Sequence, residues 1–147
     1  MTRYEHTQIG HPLIWLPGAA AVLIAIGATF ESSPHREILA VVSMVFLITI
    51  PLFYKLTITA DNETLHWSFG VGIIRKKVRI AEIAACEPIR IHWWYGWGIH
   101  LTPNGWLYNV TGWDAVAITL QVGRKFALGT DDPRGLVDAI RRFIEAN

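Results

Sequence analysis

The sequence PLIWLPGAAAVLIAIGATF, from Pro12 to Phe30, is an uncharged apolar run of 19 residues. As an α-helix rising ~1.5 Å per residue, it would be about 28 Å long, close to the hydrocarbon thickness of a bilayer. A second uncharged run of 17 residues, ILAVVSMVFLITIPLFY, extends from Ile38 to Tyr54. Only ESSPHRE separates the two runs, and Pro34 within this link favours a turn. The pattern predicts a transmembrane helical hairpin.

Three other interpretations of these runs stay open at this point. The first run has small residues, AAA and IGA, of the kind that precede a signal-peptide cleavage site, although only Arg3 supplies a basic residue before it. Both runs can also be buried helices of a soluble core, covered by the remainder of the chain. The second run, which is near the short end for a span, can be a re-entrant or interfacial segment.

Basic residues near the two runs predict the orientation of the hairpin. The link between the runs carries one basic residue, Arg36, whereas Lys55 and the basic run Arg75 to Arg79 follow the second run. Cytoplasmic segments of membrane proteins carry the excess of lysine and arginine. We therefore expect a multi-pass protein of the inner (cytoplasmic) membrane, with the N-terminus and the C-terminal domain in the cytoplasm.

The composition of the chain limits the classes of partner and cofactor that we expect it to bind. The formal net charge is +1 and only 17% of residues are charged, so no global positive field indicates nucleic acid as a partner. The single cysteine, Cys86, excludes an internal disulfide and a cysteine-pair metal site. Three histidines, His66, His92 and His100, lack the tight spacing of a metal site, and no catalytic motif is present. We expect no cofactor, no metal and no enzymatic activity.

From Leu56 onward the sequence changes from continuous to alternating hydrophobicity. Short β-prone segments recur about every 8–12 residues and are separated by turn signals such as Pro103-Asn104-Gly105. This spacing predicts about seven antiparallel strands in a barrel or sandwich. The chain is then divided into an N-terminal tail and helical hairpin over residues 1–55 and a β-rich domain over 56–147.

The last segment, TDDPRGLVDAIRRFIEAN, has the pattern of an amphipathic helix. Asp132 is the candidate N-cap and Pro133 occupies the first helical position. The apolar residues of this segment fall on one helical stripe: Leu136, Val137, Ile140, Phe143 and Ile144. The sequence thus predicts an α+β fold in which a C-terminal helix covers the mouth or face of a β-structure.

Three blocks of the sequence, taken in order, resemble a known family. They are FGVGIIRKKVRIAEIA, GWGIHLTPNGWLYNVTGWDAVAITL and GRKFALGTDDPRGLVDAI. Residues from about Ile58 to Ile144 are similar to bacterial pleckstrin-homology-like (PH-like) domain proteins, specifically the small ones with two N-terminal transmembrane helices. The family is largely uncharacterised, so the resemblance implies a PH-like β-domain and a membrane location more than an activity.

The basic run RKKVRI is the first candidate binding site. In a strand, Arg75, Lys77 and Arg79 share one face, and Lys76 lies on the other. Three cations near an anionic leaflet each gain about 1 kcal/mol from its surface potential. Eukaryotic PH-like domains use basic residues of early strands in a similar way. The alternative interpretation is an ordinary solvated strand face.

The second candidate is aromatic, because five of the seven tryptophans lie between Ile91 and Trp113. We expect Trp106 and Trp113 to fill the interior of the domain. Trp94 and Trp97 form a candidate edge that contacts the inner leaflet or the helical hairpin, with the domain interior as the alternative. A base-stacking platform is disfavoured because the stretch lacks a clustered basic groove.

These features favour a non-enzymatic, membrane-anchored module that binds a protein segment or a lipid at the inner leaflet. The expected partners are the lipid bilayer and another membrane protein or a second copy of the chain. The alternative is a structural subunit that assembles through its hairpin, since small residues suited to close helix contact occur in the first run. These residues are Gly18, Ala19, Ala20, Ala21, Gly27 and Ala28.

Overall fold

In the computed structural model, which describes residues 3–32 and 34–146, two apolar helices precede a β-rich domain that ends in a third helix. The helices are α1 (His11–Phe30), α2 (His35–Phe53) and α3 (Pro133–Glu145). The strands are β1 (Tyr4–Ile9), β2 (Lys55–Ala60), β3 (Thr64–Phe69), β4 (Ile74–Arg79), β5 (Ile83–Arg90), β6 (Gly98–Thr102), β7 (Gly105–Asn109), β8 (Asp114–Leu120) and β9 (Lys125–Gly129). Two 3₁₀ turns, Ile80–Glu82 and Trp93–Tyr95, precede and follow β5.

Helices α1 and α2 form the predicted hairpin. Both are long and apolar enough to cross a membrane, by length and composition. Only 11% of the most apolar window of α1 and 6% of that of α2 are buried inside the chain, whereas a core helix of a soluble protein is mostly buried. Between the helices, the Ser43 hydroxyl donates a hydrogen bond of 2.9 Å to the Ala21 carbonyl oxygen, so this buried polar group is satisfied.

The N-terminal segment forms a strand that the sequence analysis did not predict. β1 pairs antiparallel with β2, with Tyr4 opposite Ala60 and Ile9 opposite Lys55. At the base of the hairpin, the Gly10 backbone N–H donates to the Tyr54 carbonyl oxygen over 2.7 Å. The segment before α1 is therefore an edge strand of the β-domain, and both ends of the hairpin continue directly into neighbouring paired strands.

The strands form two sheets, ordered β1-β2-β3-β4 and β5-β8-β9-β7-β6. All neighbours pair antiparallel except β7 and β9, which are parallel, so the expectation of a purely antiparallel domain is wrong at this pair. The chain reverses direction between β7 and β8 and again between β8 and β9, and β9 lies between β8 and β7 in the sheet. Two reversals make β9 run in the same direction as β7. The sheets share no strand among the described residues, so the domain is not a closed barrel.

One hydrophobic core joins the two sheets and α3. Strands β2 and β3 contribute side chains such as Ile58 and Leu65, and the second sheet contributes Val116 and Ile118. The predicted apolar stripe of α3 is confirmed: Leu136, Val137, Ile140 and Phe143 are buried, and Ile144 is partly buried against the core. The predicted N-cap is confirmed as well, because the Asp132 carboxylate accepts a 3.0 Å hydrogen bond from the Gly135 N–H.

Candidate functional site

A cleft of about 460 Å³ opens where edge strand β4 of the first sheet faces strands β7, β8 and β9 of the second. We call it the basic cleft. Its aromatic residues are Trp67, Trp106, Tyr108 and Phe126, and its charged residues are Lys76, Lys77, Glu82, Arg124 and Lys125. Val78 and Leu120 complete the lining. The cleft therefore combines a stacked aromatic wall with four cations.

Trp67 forms the centre of the aromatic wall. Its ring stacks on Phe126 with a centroid distance of 4.9 Å and an interplanar angle of 20°, and lies 5.4 Å from the Tyr108 ring. Only 4% of Trp67 is exposed, yet its indole N–H has no hydrogen-bond partner. A buried donor without a partner costs about 1–3 kcal/mol. The indole N–H is enclosed in the core, so the open cleft presents the cations and the aromatic ring faces to a ligand.

Trp106 lies at the opening of the cleft and is 47% exposed. The expectation that this ring fills the interior of the domain is therefore wrong. Trp106 does share a strand face with the buried Tyr108, as the alternation predicted. However, in the part of the chain that the structure describes, no strand pairs with the free edge of β4, so the ring is not covered on that side. An exposed aromatic ring is thus available at the entrance.

The charge of the cleft is strongly positive. The Lys76 ammonium lies 5.5 Å from the centroid of the Tyr108 ring, within cation–π range. Glu82 is the only acid in the lining, and Arg79 donates hydrogen bonds of 2.7 and 3.0 Å to its carboxylate. These hydrogen bonds lower the pKa of Glu82, so this carboxylate is already paired by a cation from outside the cleft. The cleft lysines and Arg124 thus attract an external anion.

The basic cleft lies beyond the ends of the helices. The β3–β4 turn, residues 70–73, contacts the end of α2, because the Val71 N–H donates to the Pro51 carbonyl oxygen over 3.0 Å. Strand β4 runs away from that turn at ~3.3 Å per residue, so Lys76 is about 7 Å and Val78 about 13 Å further along. The cations of the β8–β9 turn are at this distal end as well, opposite the end of β8 that adjoins the helices.

The predicted basic residues lie on β4 as expected, and the structure divides them between two environments. Arg75 is exposed on the outer face of the sheet, opposite Ser68. Lys77 is exposed opposite His66 and also lines the basic cleft. Arg79 holds Glu82 at the rim.

The predicted tryptophans lie on another part of the domain, in the segment that joins β5 to β6. Trp94 is 60% exposed and stacks on His92, with ring centroids 4.3 Å apart. Trp97 is half-buried against Trp113 at 5.6 Å, and its buried indole N–H has no hydrogen-bond partner. Neither Trp94 nor Trp97 lines the basic cleft, so the basic and aromatic candidates do not form one site.

Several cleft residues were not among the predicted site residues: Trp67, Lys76, Trp106, Arg124 and Lys125. The signals that point to them are the second face of the basic run and the basic pair in the turn VGRK. The alternation of β4 assigns Lys76 to the core-facing side. From this alternation, Lys76 is predicted to direct its ammonium group towards the aromatic residues of the core.

The chemistry that the cleft offers is binding of an anionic group. Its lining supplies cations and aromatic faces, and no serine, cysteine or histidine of residues 3–32 and 34–146 belongs to it. Cys86 is buried elsewhere in the core, and burial raises the pKa of its thiol. Within residues 3–32 and 34–146, no three histidine, cysteine or carboxylate side chains are placed to hold a metal ion. No protein-family model matches the chain, and no curated protein is significantly similar to it in sequence.

Proposed function

We propose that this chain is a non-enzymatic binding module of PH-like architecture, anchored in the inner membrane by its helical hairpin, and that the basic cleft binds an acidic segment of a partner protein. The observation that carries the proposal is the open cleft itself, in which four cations lie beside a stacked aromatic wall and the acid of the lining, Glu82, is already paired with Arg79. A side-chain carboxylate of such a segment can pair with these cations through charge-assisted hydrogen bonds.

Membrane anchoring is supported by the exposure of the two apolar helices. Large apolar side chains such as Leu23, Val41 and Leu47 are more than half exposed, so the helices need apolar surroundings that the chain does not supply. Removal of the first run as a signal peptide would also remove β1, the edge strand that pairs with β2 along its whole length. We therefore favour a retained spanning hairpin.

The expected cytoplasmic orientation agrees with the geometry of the hairpin. Because β1 and β2 pair, the N-terminal strand and the β-domain lie at the same end of the two helices. That end carries Lys55 and the basic strand β4, whereas the opposite end carries only Arg36 among lysines and arginines. The positive-inside rule assigns the more basic end to the cytoplasm.

The PH-like assignment is supported by two packed sheets followed by a C-terminal helix that completes the core. Two features depart from a simple seven-strand version of that architecture. β1 adds an edge strand before the hairpin, and the parallel pairing of β7 with β9 replaces an antiparallel neighbour.

A protein segment fits the cleft better than a lipid headgroup does. The headgroup layer on each side of a bilayer is about 5–8 Å thick. The cleft begins about 7 Å beyond the β3–β4 turn and extends to about 13 Å, by the strand rise. By this estimate the part of the cleft beyond Lys76 lies outside the headgroup layer, where a cytoplasmic segment reaches it more readily than a lipid that stays in the leaflet.

The alternative of assembly through the hairpin has less support. Ala21 and Ala28 are buried, and a Cβ on Gly18 would lie 3.8 Å from Ile50 of α2. Three of the small residues of α1 are thus used for the contact with α2 and are not available to another helix. We therefore favour binding by the β-domain over assembly through the membrane.

Site-specific photocrosslinking in native membranes tests this function. The photoreactive amino acid p-benzoylphenylalanine replaces Trp106 at the mouth of the cleft, with Trp93, 74% exposed on the other surface, as the matched control position. We expect a discrete protein adduct at position 106 that is absent at 93, and loss of this adduct when Lys76→Glu and Lys125→Glu are added. Adducts to lipid alone, or a protein adduct that persists after both charge reversals, would contradict the proposal.

A further inference from the structure

The β3–β4 turn, residues 70–73, is attached to the end of the second helix. The Gly70 N–H donates to the Lys55 carbonyl oxygen over 2.8 Å, and the Val71 N–H donates to the Pro51 carbonyl oxygen over 3.0 Å. Pro51 lies in the last turn of α2, which ends at Phe53. The turn is therefore at the level of the end of α2, beside the helix.

This turn exposes two large apolar side chains. Val71 is 61% and Ile73 is 71% exposed, and the segment from Phe69 to Ile74 contains no polar side chain. Turns at the surface of a soluble domain usually carry polar residues, so exposed valine and isoleucine at this position need an explanation.

The apolar surface of the turn is continuous with the apolar surface of the hairpin. The contact with Pro51 leaves no soluble element between the turn and α2. Polar and aromatic groups begin immediately outside this apolar zone. The Lys55 ammonium lies 5.3 Å from the Tyr54 ring centroid, and Arg75 follows Ile74 on β4. Aromatic rings and snorkelling basic side chains of this kind are typical of the membrane interface.

We infer that the β3–β4 turn inserts Val71 and Ile73 into the interfacial region of the same leaflet in which α2 ends. The occupant of this surface is the lipid bilayer, and the inference rests on the membrane anchoring proposed above. The turn then provides a third contact of the chain with the bilayer, besides the two helices. A third contact that does not lie on the line of the helices fixes the tilt of the β-domain and holds the basic cleft away from the lipid.

A depth measurement on the full chain tests the inference. Single cysteines at Ile73, Met44 and Val122 carry an environment-sensitive fluorophore, and the proteins are reconstituted into phosphatidylcholine and phosphatidylglycerol vesicles containing nitroxide-labelled lipids. The native Cys86 is buried, and burial raises the pKa of its thiol, so labelling is directed to the introduced cysteines. Met44 is 62% exposed in the middle of α2 and reports whether the helix is in the bilayer.

Val122 is the matched apolar control, since it is 79% exposed in the β8–β9 turn. β8 begins beside the loop of Val110, which packs on Gly10 at the helix base. It ends at Leu120, about 20 Å further on by the strand rise. We expect strong quenching at Met44 by deep nitroxides and quenching at Ile73 by shallow nitroxides that is at least several-fold stronger than the background level expected at Val122.

The outcomes separate the two proposals. Quenching at Met44 with Ile73 behaving like Val122 would leave the anchoring intact and overturn the insertion of the turn. Absence of quenching at Met44 would overturn both. An Ile73 label that is shielded from aqueous iodide but not quenched by any lipid nitroxide would assign this surface to a protein contact and also overturn the inference. A Val71→Cys variant repeats the measurement on the neighbouring side chain and is expected to give the same depth.

Discussion

Replacement of Gly70 by alanine is the sharpest test of how the β-domain is attached to the hairpin. Gly70 has φ of +50°, and a Cβ at this position would lie well under 3.0 Å from the carbonyl oxygens of Pro51 and Leu52. The left-handed conformation costs a non-glycine residue about 1–2 kcal/mol. The clash adds the cost of overpacking, typically about 1–3 kcal/mol. We expect Gly70→Ala to lower the free energy of unfolding of the β-domain by about 2–5 kcal/mol.

Gly72 provides the matched control, because its φ is +90° but no atom lies within 4 Å of the position of a Cβ. Gly72→Ala therefore carries the backbone strain without the clash. For a domain of this size, each 1 kcal/mol changes the melting temperature by roughly 4–8 °C. Thermal unfolding in detergent, followed by near-ultraviolet circular dichroism, should place Gly70→Ala at least about 4 °C below Gly72→Ala. Equal melting temperatures would refute the close contact between the turn and α2.

Three further outcomes follow from the packing of the domain. Burial raises the pKa of Tyr4, and so does Asp132, which accepts a 3.1 Å hydrogen bond from the Tyr4 hydroxyl. The stability that the protonated Tyr4 hydroxyl contributes is therefore fully present below about pH 10 and is lost as the pH rises further. The melting-temperature gap between the native chain and Tyr4→Phe should therefore shrink from about pH 8 to 11, and a constant gap would contradict this reasoning. Phe143→Asp places a carboxylate in the core, where loss of the ring alone costs about 3–5 kcal/mol of folding free energy. We expect this variant to lose its cooperative unfolding transition and the control Arg134→Asp, at an exposed position of the same helix, to keep it. The Cys86 thiol should react with maleimide only after denaturation, and rapid labelling of the folded chain would show that it is accessible.

The sequence predicts those parts of the fold that depend on local periodicity. The hairpin follows from two uninterrupted apolar runs, and α3 follows from a 3.6-residue stripe with a proline at the first helical position. Strand β1 has no such signal, because YEHTQI is short and mostly polar. Its partner β2 is about 50 residues away, and an edge strand that is half solvated needs little hydrophobicity to pair. The parallel pairing of β7 with β9 depends in the same way on which strand lies between two others, which no local pattern specifies.

The candidate site is less predictable than the fold for a related reason. Strand alternation places Lys76 and Trp67 on the core-facing side, but it does not indicate where the two sheets separate. The basic cleft exists because β4 is an edge with no hydrogen-bonded neighbour on one side, so core-facing residues at this edge meet solvent. Trp106 shows the same effect, because a ring on the inner face becomes an entrance residue. The outward-facing cations Arg75, Lys77 and Arg79 are easier to recognise from the sequence, but of these three only Lys77 lines the cleft.

The direct continuation of both helices into paired strands has a consequence for binding. The bond from Gly10 to Tyr54 closes the base of the hairpin, and the bond from Val71 to Pro51 attaches the adjacent turn to α2. Rotation of the domain relative to the helices would break the bond from Val71 to Pro51. Only Gly10 separates β1 from α1 and only Tyr54 separates α2 from β2, so no long linker lies between anchor and binding site. The basic cleft is then held at a nearly constant height above the bilayer. A partner that is itself in the membrane, with its acidic segment at that height, meets the cleft at a high effective concentration, whereas the same segment at another height does not. The rigid attachment therefore selects partners by the position of the acidic segment relative to the membrane as well as by its charge.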